Sequence, residues 1–250
     1  MPNWLQELST LVRQIARRTT FVISGALTLG GCGSVVLPDV HYRLTVVVDT
    51  PEGRRSGSSV VSFESAYSPA IPGPEAKGVR FHLHGEATPI KLPNGNYLFA
   101  VLKWEQADAA KPMLLESFAD LLPPQVSTSD GDIFNRRLMD QIRALSKLRA
   151  TRPVKPEYYP VIAWFDDPTR PRTIHAKPAR AGTAIVSGVT LRSMTLEITD
   201  APVTWQIRSI LPWLHREELG YLDPNIKGIK RTFPEYMLIG ADNFLAGEIK

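Results

Sequence analysis

The sequence predicts an α+β fold, mainly antiparallel β-sheet with two inserted helices in a single domain, and three observations predict it. From Val40 to Asp49, apolar and polar residues alternate with a period of two, the signature of a strand with one buried face. Pro93-Asn94-Gly95-Asn96 separates two apolar runs, and Asn-Gly in that setting is the strongest short signal for a hairpin. Between residues 113 and 149 the apolar spacing becomes helical, and strand patterning then resumes.

In the first strand Tyr42, Leu44, Val46 and Val48 form the inward set. Thr50-Pro51-Glu52-Gly53 has the composition of a turn, and Ser58 to Tyr67 returns as a second strand with Val61 and Phe63 inward. A Pro/Gly-rich loop from Ser68 to Gly78 leads into a third strand carrying Val79, Phe81 and Leu83. Thr88–Leu92 and Tyr97–Trp104 flank the Asn-Gly turn. Tyr97–Leu102 is apolar on both faces and belongs in the middle of a sheet. The first hundred residues thus read as one antiparallel meander.

Met113–Leu122 carries Leu114, Phe118 and Leu121 at helical spacing and stops at Pro123-Pro124. A second helix runs from about Asp132 to Arg149, with Ser129 or Asp130 as N-cap and Phe134, Leu138, Ile142 and Leu145 as its apolar stripe. Arg136, Arg137, Arg143, Lys147 and Arg149 cover the rest. They read as a solvated face, with contact to anionic headgroups as the alternative. Thr151–Pro160 reads as extended, Val161–Phe165 as a buried strand, and Thr173–Lys177 as its partner. Val189–Thr199 is a strand with a bulge near Arg192-Ser193. Val203–Leu211 reads as a short helix ended by Pro212, and Ala241–Ala246 as another.

The N-terminal segment has a separate logic. Arg13, Arg17 and Arg18 precede the apolar run Phe21–Leu29, which is too short for the ~20 apolar residues that cross a bilayer. A positive flank, a short apolar run and then small residues make a secretory signal. Trp4, Leu5, Leu8, Leu11, Val12 and Ile15, at helical spacing, read as the discarded part of an overlong signal, with an amphipathic helix on the cytoplasmic side as the alternative. Arg17-Arg18 is followed by Thr19-Thr20-Phe21, which sets the hydrophobic residue one place late for a twin-arginine signal.

Leu29-Gly30-Gly31-Cys32 resembles the lipobox of bacterial lipoproteins. The resemblance implies a diacylglyceryl thioether on Cys32, cleavage before it, and a further acyl chain on the freed amine, giving the two-signal anchoring that holds at a membrane. The alternatives are an uncleaved anchor or a buried apolar helix with an incidental cysteine. The expected organisation is a signal peptide over residues 1–31, the lipidated cysteine and a linker over 32–39, and a periplasmic domain over 40–250. Gly33 stands where inner-membrane retention commonly has an aspartate, so the expected address is the outer membrane, facing the periplasm.

Composition narrows function by exclusion. Three arginines and one glutamate leave with residues 1–31, so the formal charge falls from +4 to +2 and nucleic-acid binding loses its support. Cys32 is the one cysteine of the chain, which excludes an intramolecular disulfide, a thiolate zinc cluster and a free thiol nucleophile. There is no Gly-x-Ser-x-Gly elbow.

Two stretches remain as candidate sites. His82, His84 and Glu86 alternate on one strand, so two imidazoles and a carboxylate could meet a metal, with His41 or Asp49 completing the shell; the bland alternative is a solvated strand face. Arg54, Arg55 and Ser56 have the donors of an anion site, although the run lacks P-loop spacing and also suits a hairpin loop. Asp166-Asp167-Pro168 reads as a turn, and Glu217-Glu218 beside His215 as unremarkable. Trp205 and Trp213 read as core anchors before groove lining.

Tyr42–Gly53 leading into Gly57-Ser58-Ser59-Val60, then Gly85–Lys103, and then Leu196–Leu214 resemble a family of uncharacterised exported proteins of Gram-negative bacteria. That resemblance implies one shared architecture and brings no activity, cofactor or site residue. The expected function is a non-enzymatic envelope lipoprotein, bound to the membrane through its lipid and to an unknown protein partner, or a structural component. The alternative is a metal-dependent enzyme or a small-ligand or lipid binder using the His82/His84/Glu86 face. No cofactor is expected beyond the covalent lipid.

Overall fold

A computed structural model describes residues 34–69, 78–104, 110–215, 221–224 and 238–247. The signal segment, Cys32 and Glu217-Glu218 lie outside the described residues, as does most of the Pro/Gly-rich loop. In chain order the elements are β1 (Val35–Val36), β2 (Val40–Thr50), β3 (Gly53–Ser68), β4 (Gly78–Glu86), β5 (Thr88–Lys91), β6 (Tyr97–Trp104), α1 (Ala110–Ser117), α2 (Gly131–Leu145), β7 (Thr151–Pro153), β8 (Pro160–Phe165), β9 (Ile174–Pro178), β10 (Ala184–Val186), β11 (Val189–Ile198) and β12 (Leu245–Ala246). The fold is α+β with mostly antiparallel sheet, as the periodicities require. Among the described residues no helix is long and apolar enough to cross a membrane.

The strands form two sheets where the sequence suggested one meander. The larger has the order β10-β11-β2-β3-β4-β12, with β1 pairing β3 and β7 pairing β11. The smaller has the order β5-β6-β8-β9. The chain passes from the first sheet to the second through Ala87 alone, because β4 ends at Glu86 and β5 begins at Thr88. Nothing in the alternation of side chains marks such a passage, and so the strands look continuous in sequence.

The register of β2 on β3 sorts residues by face. Tyr42 lies opposite Val61 and Leu44 opposite Ser59, facing inward; His41 lies opposite Ser62 and Arg43 opposite Val60, facing outward. The inner face meets the second sheet closely. A Cβ placed on Gly57 would lie 1.9 Å from the Pro89 carbonyl oxygen, and the Ser59 and Thr88 hydroxyls hydrogen-bond beside it. Tyr42, Val46, Val48, Ile90, Leu98 and Ile162 are all buried in the core between the sheets, which α1 and α2 complete through Leu114, Leu138 and Ile142, with Phe118 just past the end of α1.

The second sheet is covered on its other face too. Phe99, Val101, Val161, Ala163 and Phe165 pack against Ile207, Leu211, Trp213, Leu222, Ile239 and Phe244 from the C-terminal stretch. That double cover is why Tyr97–Leu102 is apolar on both faces. Phe99, Phe165, Trp213 and Phe244 form an aromatic cluster with ring centroids 5.6–5.9 Å apart.

Local expectations met mixed outcomes. Asp130 caps α2 by accepting from the Asp132 and Ile133 amides, and the β11 bulge falls between Leu191 and Ser193. Leu121 is 40% exposed because α1 ends at Ser117 and gives way to a 3-10 turn, which rotates it off the helical stripe. Residues 203–211 form only a 3-10 turn at Ile207–Ser209, and Pro212 begins a second one. Residues 35–37, expected as linker, belong to the fold: Val35 pairs with Tyr67, Val36 with Ala66, and Leu37 is buried.

The Gly57 contact is testable. Gly57→Ala should cost about 3 kcal/mol, since the obstructing atom is backbone and overpacking of this kind costs 1–3 or more. Gly131→Ala, where no atom lies within 4 Å, serves as the control and should leave the thermal midpoint unchanged or raised. Equal midpoints for the two variants in circular-dichroism melts would refute the close approach.

Candidate functional site

The outer face of the larger sheet holds the sequence-predicted trio, and there the Glu86 carboxylate is taken up by the protein's own backbone. His82 is exposed opposite Glu64, and His84 lies opposite Ser62 with its ring edge-on to Trp205 at 5.0 Å. Glu86 is 2% exposed, and its carboxylate accepts the Ile207 amide at 2.8 Å. The proposed completing residues are engaged elsewhere: His41 Nδ1 meets the Ala201 carbonyl at 2.9 Å, and Asp49 pairs with Arg54 and Arg192. Among the described residues no group of three His, Cys, Asp or Glu side chains could hold a metal ion. The spacing put the imidazoles on one face, but the segment from Val203 to Ile207 crosses that face and takes the carboxylate.

Glu86 is instead a positioning group. Its carboxylate receives hydrogen bonds from the Ile207 amide, the Thr204 hydroxyl and the Gln206 amide, at the start of the 3-10 turn. The Thr204 amide also donates to the Val60 carbonyl. Together these fix the chain as it leaves the larger sheet to cover the smaller one.

The anion candidate does not assemble either. Arg54, Arg55 and Ser56 lie within β3 rather than in a loop, opposite Asp49, Val48 and Val47. Successive residues of a strand point to opposite faces, so Arg54 joins Asp49 on the outer face while Arg55 turns inward. Trp213 is buried and donates its indole N–H to the Pro168 carbonyl, as a core anchor should; Trp205 is 38% exposed.

The feature missed in the sequence is a cleft of about 450 Å³ beside β9, the last strand of the smaller sheet among the described residues. Trp164 on β8 and His175 on β9 are cross-strand partners, and their rings stack with centroids 5.4 Å apart and planes at 17°. His175 Nε2 meets Asp166 Oδ2 at 3.0 Å. Arg172 Nη1 donates to the Tyr221 carbonyl at 2.8 Å, and Lys177 Nζ donates to the Ala184 carbonyl. The Thr173 hydroxyl donates to the Asp167 and Arg170 carbonyls. Asp223, Pro224 and Ile239 close the far wall.

The turn that carries Asp166 is rigid for local reasons. The Thr169 hydroxyl and amide both donate to Asp167, holding its carboxyl below the usual carboxylate range. Asp166-Asp167-Pro168 is therefore the turn that its composition suggested, and it also delivers Asp166 to His175. Register would have revealed the pair: folding Val161–Phe165 back on Thr173–Lys177 about this turn sets Trp164 opposite His175.

Compared with family models, curated proteins and solved structures, the chain matches none of them. The functional reading therefore rests on the sequence and the geometry.

Burial pushes the Glu86 carboxyl above its ordinary value of 4.5, with its three hydrogen bonds opposing the shift. A carboxyl with a raised folded pKa stabilises the fold below its unfolded pKa, and that contribution is lost as pH rises through the folded pKa. In melts from about pH 4 to 8, wild type should lose midpoint relative to Glu86→Gln as pH rises and then level off. A gap between the two that does not change with pH would contradict this role.

Proposed function

We propose that this protein is a cell-envelope lipoprotein, tethered by a lipid on Cys32 at the outer membrane and facing the periplasm, that works by binding a protein partner. The tether follows from the lipobox-like Leu29-Gly30-Gly31-Cys32 behind its basic flank and short apolar run. The binding half rests on one observation: among the described residues β9 is the outermost strand of its sheet, and the Trp164–His175 stack and the cleft lie along it.

An open edge strand carries unpaired backbone groups that an extended segment of another chain can join. Tryptophan and arginine beside it are the residue types that most often anchor protein interfaces. Around this cleft His175, Arg172, Lys177 and Thr173 are each held by the protein's own groups. Such prior ordering lowers the entropic cost of docking.

Two measurements test the reading separately. Cys32→Ser should accumulate unprocessed and incorporate no labelled fatty acid; cleavage and release at the same position would defeat the anchor. A photo-crosslinker replacing His175 in cells should give one discrete adduct, absent with a crosslinker at Glu52. Trp164→Ala should weaken binding of the protein so identified roughly 30-fold, the equivalent of about 2 kcal/mol. Unchanged binding would remove the cleft from the proposal.

A further inference from the structure

The fold begins very close to the cysteine that the proposed function lipidates. Val35 is three residue steps on from Cys32, and a fully extended chain spans at most about 3.6 Å per residue, so Val35 lies within about 11 Å of Cys32. Leu37 is buried and its amide donates to the Ser65 carbonyl, which locks this stretch to β3. An anchor on Cys32 therefore holds one particular end of the domain against the bilayer.

The residues at that end suit a lipid surface. Val36 is 78% exposed and Val35 44% exposed. Val36 lies opposite Ala66, which in turn lies opposite exposed Arg80, so Val36 and Arg80 share the outer face of the sheet. Gly78, two residues before Arg80, brings in α2: a Cβ on Gly78 would lie 3.9 Å from Asn135 Oδ1. Beside Asn135 on the helix stand Phe134, 38% exposed, and the exposed Arg136 and Arg137.

Further along α2, Arg143 pairs with Asp140 and Arg149 with Asp200. The Asp130 carboxylate at the start of α2 accepts two backbone amides as the cap. Exposed Asp39, three residues on from Val36, and exposed Asp132, two residues before Phe134, are opposing charges. Exposed apolar side chains beside a net excess of arginine, here Arg80, Arg136 and Arg137 against Asp39 and Asp132, are a composition that settles at the headgroup level of an anionic bilayer.

We infer that the end of the domain formed by Val35, Val36, Arg80, Phe134, Arg136 and Arg137 lies on an anionic membrane surface and sets the orientation of the domain on its tether. This rests on the lipid anchor at Cys32. The far end of β3 is the hairpin at Thr50–Gly53, on the order of 40 Å away at about 3.3 Å per residue, and it points into the periplasm.

The test uses the protein as cells process it, purified with the state of Cys32 read by mass spectrometry. With Cys32 acylated on sulfur, an introduced cysteine is the one free thiol. Val36→Cys, Phe134→Cys and, as the distal control, Glu52→Cys are each labelled with a polarity-sensitive dye. The proteins are then reconstituted into phosphatidylcholine vesicles with or without phosphatidylglycerol, carrying a headgroup-level quencher.

Quenching at positions 36 and 134 should exceed that at 52 several-fold. Combining Arg80→Glu, Arg136→Glu and Arg137→Glu should reduce it on the anionic vesicles to the neutral-vesicle level. A protein that floats with the vesicles while position 36 is quenched no more than position 52 overturns the docking surface and leaves the anchor standing. A protein that does not float, with Cys32 unacylated by mass spectrometry, overturns both.

Discussion

The two sheets close on one another where a backbone meets a backbone, at Gly57 on β3 against the carbonyl of Pro89 on β5. Any side chain at Gly57 would hold the sheets apart and open the core between Val46, Val48, Ile90 and Ile162, all of them fully buried. Each such residue contributes about 1.5–3 kcal/mol when removed from water, so loss of the closure threatens much of the net stability. The Ser59 and Thr88 hydroxyls bond to each other beside the contact, so polar groups enter the closed interior in a satisfied pair.

Everything downstream follows from that closure. The smaller sheet, pressed against the larger on one face, needs cover on the other, and the chain after β11 supplies it. Glu86 and Val60 fix where that chain departs, by way of the Ile207 and Thr204 amides. Trp213 then packs on Phe165 and bonds the turn at Pro168 that presents Asp166 to His175. The cleft is thus tied through Trp213 and Phe165 to the packing that keeps the sheets together. Among the described residues β9, along which the cleft lies, is the last strand of its sheet.

The strands, the turns and the β11 bulge were legible because each depends on neighbours in sequence: alternation for β2, Asn-Gly for the β5–β6 turn, a misfit of phase at Arg192-Ser193. The division into two sheets was not legible, because Ala87 interrupts no pattern. Glu86 read as a metal ligand for the same reason. Its spacing with His82 and His84 is local, whereas its partners at Thr204 and Ile207 arrive from more than a hundred residues away. Arg54 and Arg55 looked like a cluster in sequence and are split by the pleat. Trp164 and His175 went unnoticed singly and become a site only through their register.

The most direct test of this architecture is a nuclear Overhauser measurement on protein selectively labelled at glycine and isoleucine. The Cβ position of Gly57 lies 3.1 Å from the Ile90 Cα, so the α-protons of Gly57 and Ile90 should give a strong cross-peak. Its presence would place β5 on the inner face of β3 as described. Its absence, with the β2–β3 cross-peaks intact, would mean that the sheets do not meet there and that the cleft, the cover and the orientation at the membrane need a different frame.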